Sequence, residues 1–317
     1  MKFQVQILGS NSAFPAFGRF PSAQILNHNE TLFLIDCGEG TQIQMTRYHI
    51  KRSKINQIFV SHLHGDHVFG LPGLITSYTQ LGREKPIHIF GPVGIQKMME
   101  AIMDLSGSRI NFDIQYTELR HEGMDKIFST SYLEVFAFPL KHRIATYGYR
   151  FLEKERPLRM KKEKITQYQL TTEQILDAKS GCDLNLNGQL IPVEELTETP
   201  EKPRSYAYCS DTAYDEKIIP FIQNTNLLYH ETTFMEDKSD LAAYSKHSTT
   251  KEAGKIARMA KAGCLITGHY SSRYKDLSPL LEEVQSEFPN TRLGIEGEIY
   301  EVPRMHGEST KGENEVI

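Results

Sequence analysis

The chain has 317 residues, 39% of them hydrophobic and 24% charged, with a formal net charge of -4 and a pI near 6.3. This suits one enzyme-sized globular unit and excludes a protein that is basic overall, so any nucleic-acid surface must be a local patch. Cys37, Cys182, Cys209 and Cys264 stand far apart without CxxC spacing, which argues against a disulfide framework and against a thiolate zinc site. No apolar run approaches the roughly 18 residues of a membrane span, and the N-terminus lacks a leader pattern. The expectation is a soluble, cytoplasmic protein with no membrane partner.

Residues 2 to 9 alternate as a strand, and the small-residue loop Gly9 to Ala13 follows. A hairpin comes next, with arms Ala23 to Leu26 and Thr31 to Ile35 around the polar turn Asn27 to Glu30. Its second arm ends in Asp36-Cys37-Gly38-Glu39-Gly40-Thr41, where a carboxylate leaves an apolar strand beside two glycines. A plain strand-end turn and a functional loop fit that stretch equally.

The apolar run Gln57-Ile58-Phe59-Val60-Ser61 reads as a buried strand that empties into His62-Leu63-His64-Gly65-Asp66-His67. Four potential metal ligands lie within six residues. In extended chain His62 and His64 project to the same side, and Gly65 allows the turn that brings Asp66 round. This is more than one tetrahedral ion requires, so two ions are expected; a structural zinc would be rich in Cys, and this cluster has none.

A helix is expected over Leu71 to Leu81, a strand over Pro86 to Gly91, and a helix with Pro92 in its first turn and Ile95, Met98, Met99 and Ile102 on its apolar face. Strand-like runs follow at 110 to 119 and 131 to 140, the second ending in Pro139-Leu140-Lys141-His142. Residues 153 to 203 change character. Lys154, Arg156, Arg159, Lys161, Lys162 and Lys164 make the first part basic, and 171 to 201 holds seven acidic residues. Such a polar insert with few core residues reads as a protruding arm or a solvated loop.

Ser205 to Asp211 is again a strand delivering a carboxylate, and Asn226 to Tyr229 leads into His230-Glu231-Thr232-Thr233. Thr249 to Glu252 matches a capping box before Ala253, Ile256, Ala257 and Ala260, with Gly263 as the stop and His247 just outside the helix. Cys264 to Thr267 delivers Gly268-His269. A helix near 278 to 287 and a closing strand run 292 to 302 precede a polar tail from His306 to Ile317. Strands alternate with helices, and polar residues gather after strands, the edge where α/β sites assemble.

With His62, His64, Asp66, His67, His142, Asp211 and His269 in that order, the chain resembles the metallo-β-lactamase superfamily. Asp36 to Thr41, Gly148-Tyr149, His230-Glu231-Thr232-Thr233-Phe234, His247-Ser248-Thr249 and Gly268-His269-Tyr270-Ser271-Ser272-Arg273-Tyr274 narrow the resemblance to the ribonuclease Z, or transfer-RNA 3′-processing endonuclease, family. The resemblance covers about residues 1 to 303. It implies an α/β fold, a four-layer αββα sandwich, with a catalytic domain from 1–152 and 204–303, an inserted tRNA-binding arm at 153–203 and a tail at 304–317. Two departures stand out: Gln169 to Gln174 lacks the glycine- and proline-rich arm tip of the family, and Gly18-Arg19-Phe20-Pro21 stands where the family tends to have Arg-Asn.

The resemblance also implies two zinc ions, one on His62, His64 and His142, the other on Asp66, His67 and His269, with Asp211 bridging. Their bridging hydroxide would attack the phosphodiester in line. Asp66 would take the proton, and His247, held by Glu231, would protonate the leaving 3′-oxygen. Lys141, Arg143 and Arg273 lie beside ligands and are candidates for phosphate contact. Precursor tRNA as substrate and a homodimer are implied; a zinc phosphodiesterase of small or cyclic nucleotides is the alternative.

Overall fold

The computed structural model describes residues 1–120 and 122–304. Two seven-stranded sheets face each other. The first runs in the order Ile299–Glu301, Phe3–Gly9, Ala23–His28, Thr31–Ile35, Ile55–Phe59, Ile87–Pro92 and Ile114–Leu119. Its last four strands are parallel, the others antiparallel. The second runs Thr291–Leu293, Leu265–Gly268, Leu227–Glu231, Ser205–Cys209, Thr146–Glu153, Leu133–Leu140 and Asp125–Ser129, parallel over the first four and antiparallel beyond.

Period-two alternation divides each sheet's side chains between two layers. Phe3, Val5, Ile7, Phe33, Ile35 and Phe59 of the first sheet pack with Val135, Tyr149, Phe151, Tyr206, Tyr208 and Ile266 of the second to form the central core. Leu32, Leu34, Ile55 and Ile58 point the other way, onto the helices Gly70–Gln80 and Ile95–Leu105 through Leu71, Leu74, Ile75 and Met99. The outer face of the second sheet is covered by Thr250–Met259 and Ser278–Glu287 through Ile256, Ala257 and Val284. Helix, sheet, sheet, helix is the four-layer arrangement expected.

The capping box at Thr249 and Glu252 forms in both directions, and the helix it starts runs Thr250–Met259, with Ala260 as its cap. Gly263 therefore lies beyond the stop. Pro92 closes a strand, and the helix begins only at Ile95. The closing run splits into two short strands in different sheets, Thr291–Leu293 and Ile299–Glu301. Helices Thr41–Arg47 and Ser239–Ser245 and the strand Asp125–Ser129 were not anticipated.

The 153–203 segment is richer in core than its composition suggests. Helices Lys162–Gln167 and Thr172–Lys179, the pair Arg159–Met160 with Thr197–Glu198, and the hairpin Leu184–Leu186 with Gln189–Ile191 enclose Met160, Leu170, Ala178, Leu184, Ile191 and Leu196. The hairpin turns on Asn187-Gly188, both at positive φ, the pairing a two-residue turn favours. Apolar residues spaced one or two to an element are hard to see in sequence, yet they converge here. The polar tail lies, from Met305 onward, outside the described residues.

Candidate metal centre

The parallel strands and Leu133–Leu140 open their C-terminal ends at one edge. That edge receives His62 to His67 from the first sheet and His142, Asp211, Glu231 and His269 from the second. His64 keeps an extended backbone, and a short helix Gly65–Val68 swings Asp66 and His67 round. Gly65 serves by its small size rather than by positive φ: a Cβ there would lie 2.4 Å from the Phe69 ring.

Two ligand sets converge. His62 Nε2 lies 3.1 Å from His64 Nδ1, and His142 Nε2 lies 3.3 Å from the same atom. His67 Nε2 and His269 Nε2 are 3.3 Å apart, with Asp66 Oδ2 at 3.4 Å from His269 Nε2. Asp211 stands between the sets. Its Oδ2 is 3.5 Å from His62 Nε2 and 3.8 Å from His142 Nε2, while its Oδ1 is 3.3 Å from both His67 Nε2 and His269 Nε2.

These spacings fit metal ions. Imidazoles bound to one tetrahedral zinc at about 2.0–2.1 Å place their nitrogens roughly 3.3 Å apart. Asp211 Oδ1 is buried, and it accepts no hydrogen bond despite two imidazoles beside it. A carboxylate oxygen so placed is costly unless a cation meets it. The far nitrogens of the rings are engaged: His67 Nδ1 donates to Asp36 Oδ2 at 2.8 Å, and His142 Nδ1 donates to the Lys246 carbonyl at 2.8 Å. That leaves each Nε2 lone pair for the centre. His62 and His269 meet Ser61 Oγ (3.0 Å) and Thr233 Oγ1 (2.9 Å) in the same way.

The electrostatics agree. Burial lowers the pKa of His62, His64 and His142, keeping them neutral as ligands should be. Burial works to lower His67 too, but the carboxylates of Asp211, Asp66 and Asp36 outweigh it and raise it well above the ordinary value. Burial would raise Asp66, yet His67 and His269 hold it well below the usual carboxylate range. Such a carboxylate-rich cluster is one whose charge a cation balances.

Glu231 and His247 form a pair beside it. Glu231 is fully buried; its Oε1 accepts from His247 Nδ1 at 2.8 Å and from the Thr212 N–H at 3.0 Å. Burial opposes a charged His247, but the Glu231 carboxylate outweighs it and pushes the imidazole up to about 9. Arg143 and Arg273 line the cavity of about 410 Å³ that also holds His64, Asp66, His142, Asp211, His247 and His269. Lys141 does not line it. Its backbone is tied down, the N–H to Thr212 Oγ1 and the carbonyl to the Ala213 N–H.

Asp36, in a stretch that fits a plain turn and a functional loop equally, is the hub behind His67. It is fully buried at a left-handed φ of 55°, and it accepts from the Ser61 N–H (2.7 Å), Ser61 Oγ (2.9 Å) and the Tyr208 hydroxyl (2.6 Å). His269 shares the strained conformation at φ 58°. A polar residue leaving an apolar strand was the available signal; Tyr208, Thr233 and the Lys246 carbonyl gave none.

A ribonuclease Z from Parabacteroides distasonis is 41% identical over 296 residues, covering 93% of this chain and 97% of that one. The chain belongs to the ribonuclease Z family. The crystal structure of human tRNase Z, short form, superposes with a TM-score of 0.69 at 25% identity, over 95% of this chain and 99% of that one. The metallo-beta-lactamase fold protein YhfI from Bacillus subtilis superposes at 0.68 with 18% identity, over 95% of this chain and 100% of that one, a likeness of fold. A family model described as Anti-Pycsar protein Apyc1 matches residues 3–154. Ribonuclease Z enzymes are hydrolases that process tRNA 3′ ends, and the short-form human structure shares the fold seen here. Among the described residues no helix is long and apolar enough to cross a membrane.

Proposed function

We propose that this chain is an endoribonuclease that removes 3′ trailers from precursor tRNA in the cytoplasm, leaving a tRNA 3′-hydroxyl and a trailer 5′-phosphate. The observation that carries the reading is the Asp211 carboxylate, one oxygen facing each of two ligand sets, next to the buried Glu231–His247 pair. His62, His64 and His142 are the residues to hold one zinc, Asp66, His67 and His269 the other, with Asp211 shared. When bound, the two ions supply an activated water and offset the charge of an in-line phosphoryl displacement.

The chain's own groups do the rest. His247 is protonated at neutral pH and donates to the leaving 3′-oxygen, while Glu231 stays ionised and fixes the ring. Asp66, held ionised, takes the proton of the attacking water. Arg143 and Arg273 meet the phosphates that flank the cut.

The 153–203 excursion serves as the RNA-gripping arm of a catalytic body built from two segments, 1–152 and 204–303. Lys154, Arg156, Arg159, Lys162 and Lys179, interspersed with Glu153, Glu155, Glu198 and Glu201, line one cleft of about 740 Å³ between it and the body, and these cations are the candidates to meet the RNA backbone. This cleft is at the sheet end opposite the metal centre, since it includes His28 and Glu153. A homodimer, in which one subunit's arm serves its partner's site, accounts for that separation.

The test is cleavage of a 3′-extended precursor tRNA by the zinc-loaded protein, with end mapping and a chelated control. A chelator-sensitive cut after the discriminator base is expected. No cut, with small or cyclic nucleotide diesters still hydrolysed, would instead support a phosphodiesterase.

A further inference from the structure

One wall of the metal cavity is a closed loop held in an unfavourable shape. Ser10 to Phe20 returns on itself: the Asn11 N–H donates to the Phe20 carbonyl at 2.9 Å, and Glu296 Oε1 accepts the Ser10 and Phe20 N–H groups at 3.1 and 2.7 Å. Within it the Phe14 N–H donates to the Ser12 carbonyl at 2.7 Å, a three-residue turn centred on Ala13 at φ 62°. Turns of this hand are rare and strained for a residue that carries a Cβ.

One buried side chain braces the turn from within. Asn11 is fully buried; its Nδ2 donates to the Phe14 carbonyl at 2.7 Å and to the Ser12 carbonyl at 3.2 Å, bracketing Ala13. Its Oδ1 accepts from Arg19 Nε at 3.0 Å, and Arg19 Nη2 continues to the Tyr274 carbonyl at 2.5 Å. Both N–H donors and the carbonyl oxygen of the amide are used, a pattern that only Asn or Gln provides.

The strained turn aims one group at the cluster. The Ala13 N–H donates to Asp66 Oδ2 at 2.8 Å, the same oxygen that faces His269 Nε2. The loop is also laced to the residue after His269, by the Ser12 N–H to the Tyr270 carbonyl (2.9 Å) and the Tyr270 N–H to the Ser10 carbonyl (2.8 Å). We infer that Asn11, locked by Arg19, is a positioning residue that holds the Ala13 N–H against Asp66 and so sets the strength of the metal set formed by Asp66, His67 and His269. The inference rests on the metal reading above.

The experiment measures zinc affinity of the full chain by competition with a chromophoric chelator, together with kcat and KM on bis(p-nitrophenyl) phosphate. In Asn11→Ala one zinc equivalent should bind as in the wild type, and the other about 10- to 100-fold more weakly, the usual effect of losing an outer-shell partner. At saturating zinc KM should stay within about twofold while kcat falls. Adding Ala13→Gly should recover part of the lost affinity, because glycine holds a positive φ without strain; a role in packing alone would not be rescued so. If Asn11→Ala does not fold, Arg19→Ala carries the test, with the same pattern at about three- to tenfold. Two zinc equivalents bound at wild-type affinity by folded variants would overturn the inference alone. A wild type that binds no zinc would overturn the metal reading and this inference with it.

Discussion

The Glu153 carboxylate accepts both sides of the Arg204 guanidinium, Oε2 from Nε at 3.1 Å and Oε1 from Nη2 at 2.8 Å, where the chain leaves the body for the 153–203 excursion and where it returns. Both side chains are buried, and Arg204 also reaches the Met1 and Val302 carbonyls. Removing one partner leaves a buried charge unpaired, so Glu153→Gln should cost about 3–5 kcal/mol at pH 7 in chemical denaturation. Burial works to raise the Glu153 pKa, but His28 and Arg204 hold it well below the usual range. A depressed carboxylate stabilises above its unfolded pKa and loses that contribution as pH falls through the folded one. The gap between wild type and variant should therefore narrow below about pH 4.5, the usual range for a glutamate.

The same clamp should make the 153–203 excursion excisable. The Glu153 N–H donates to the Arg204 carbonyl at 2.9 Å, so the two stem residues are already strand neighbours, and the arm's buried residues contact one another in a cluster of their own. Replacing 155 to 202 by a short turn should leave the melting transition of the body within a few degrees and hydrolysis of a small phosphodiester within about twofold, while affinity for precursor tRNA drops at least tenfold and its salt dependence flattens. A body that no longer folds would show the arm to be integral.

Glu231 and His247 make a pH prediction. Cleavage that needs the His247 proton falls as pH rises through about 9. In Glu231→Gln the charge that raises the imidazole is gone and burial still lowers it, so the alkaline limb should shift to lower pH. His247→Ala should lose about 10²–10⁴-fold in kcat with both metals retained, the range expected for a general acid. Loss of half the metal in that variant would mark His247 as a ligand.

Asp36→Asn tests the hub. The variant keeps the shape but removes the charge that His67 Nδ1, Ser61 and Tyr208 all address. Zinc affinity should fall about 10- to 100-fold by chelator competition, with little change in the fold seen by circular dichroism.

What was legible follows from distance along the chain. The His62 to His67 run declares itself because four ligands share one short segment, and His142, Asp211 and His269 each follow an apolar strand. The capping box at Thr249 and the periodicity of 278–287 are local, and both appear as expected. The Asp36–His67 contact joins residues 31 apart, Thr233 meets His269 across 36, and Asn11 acts through a turn whose hand no propensity reveals. The arm's core escaped notice because its six buried residues are spread over nearly 40 positions.

Each of the sets His62, His64, His142, Asp211 and Asp66, His67, His269 takes members from both sheets. Neither half of the molecule can assemble a full set alone. Metal held by both sets would rivet the seam between two half-sandwiches, and native chain should then give up metal only as fast as that seam opens. Exchange of labelled zinc should accordingly speed up in mild denaturant, in step with loosening of the inter-sheet core and not with fraying of the arm.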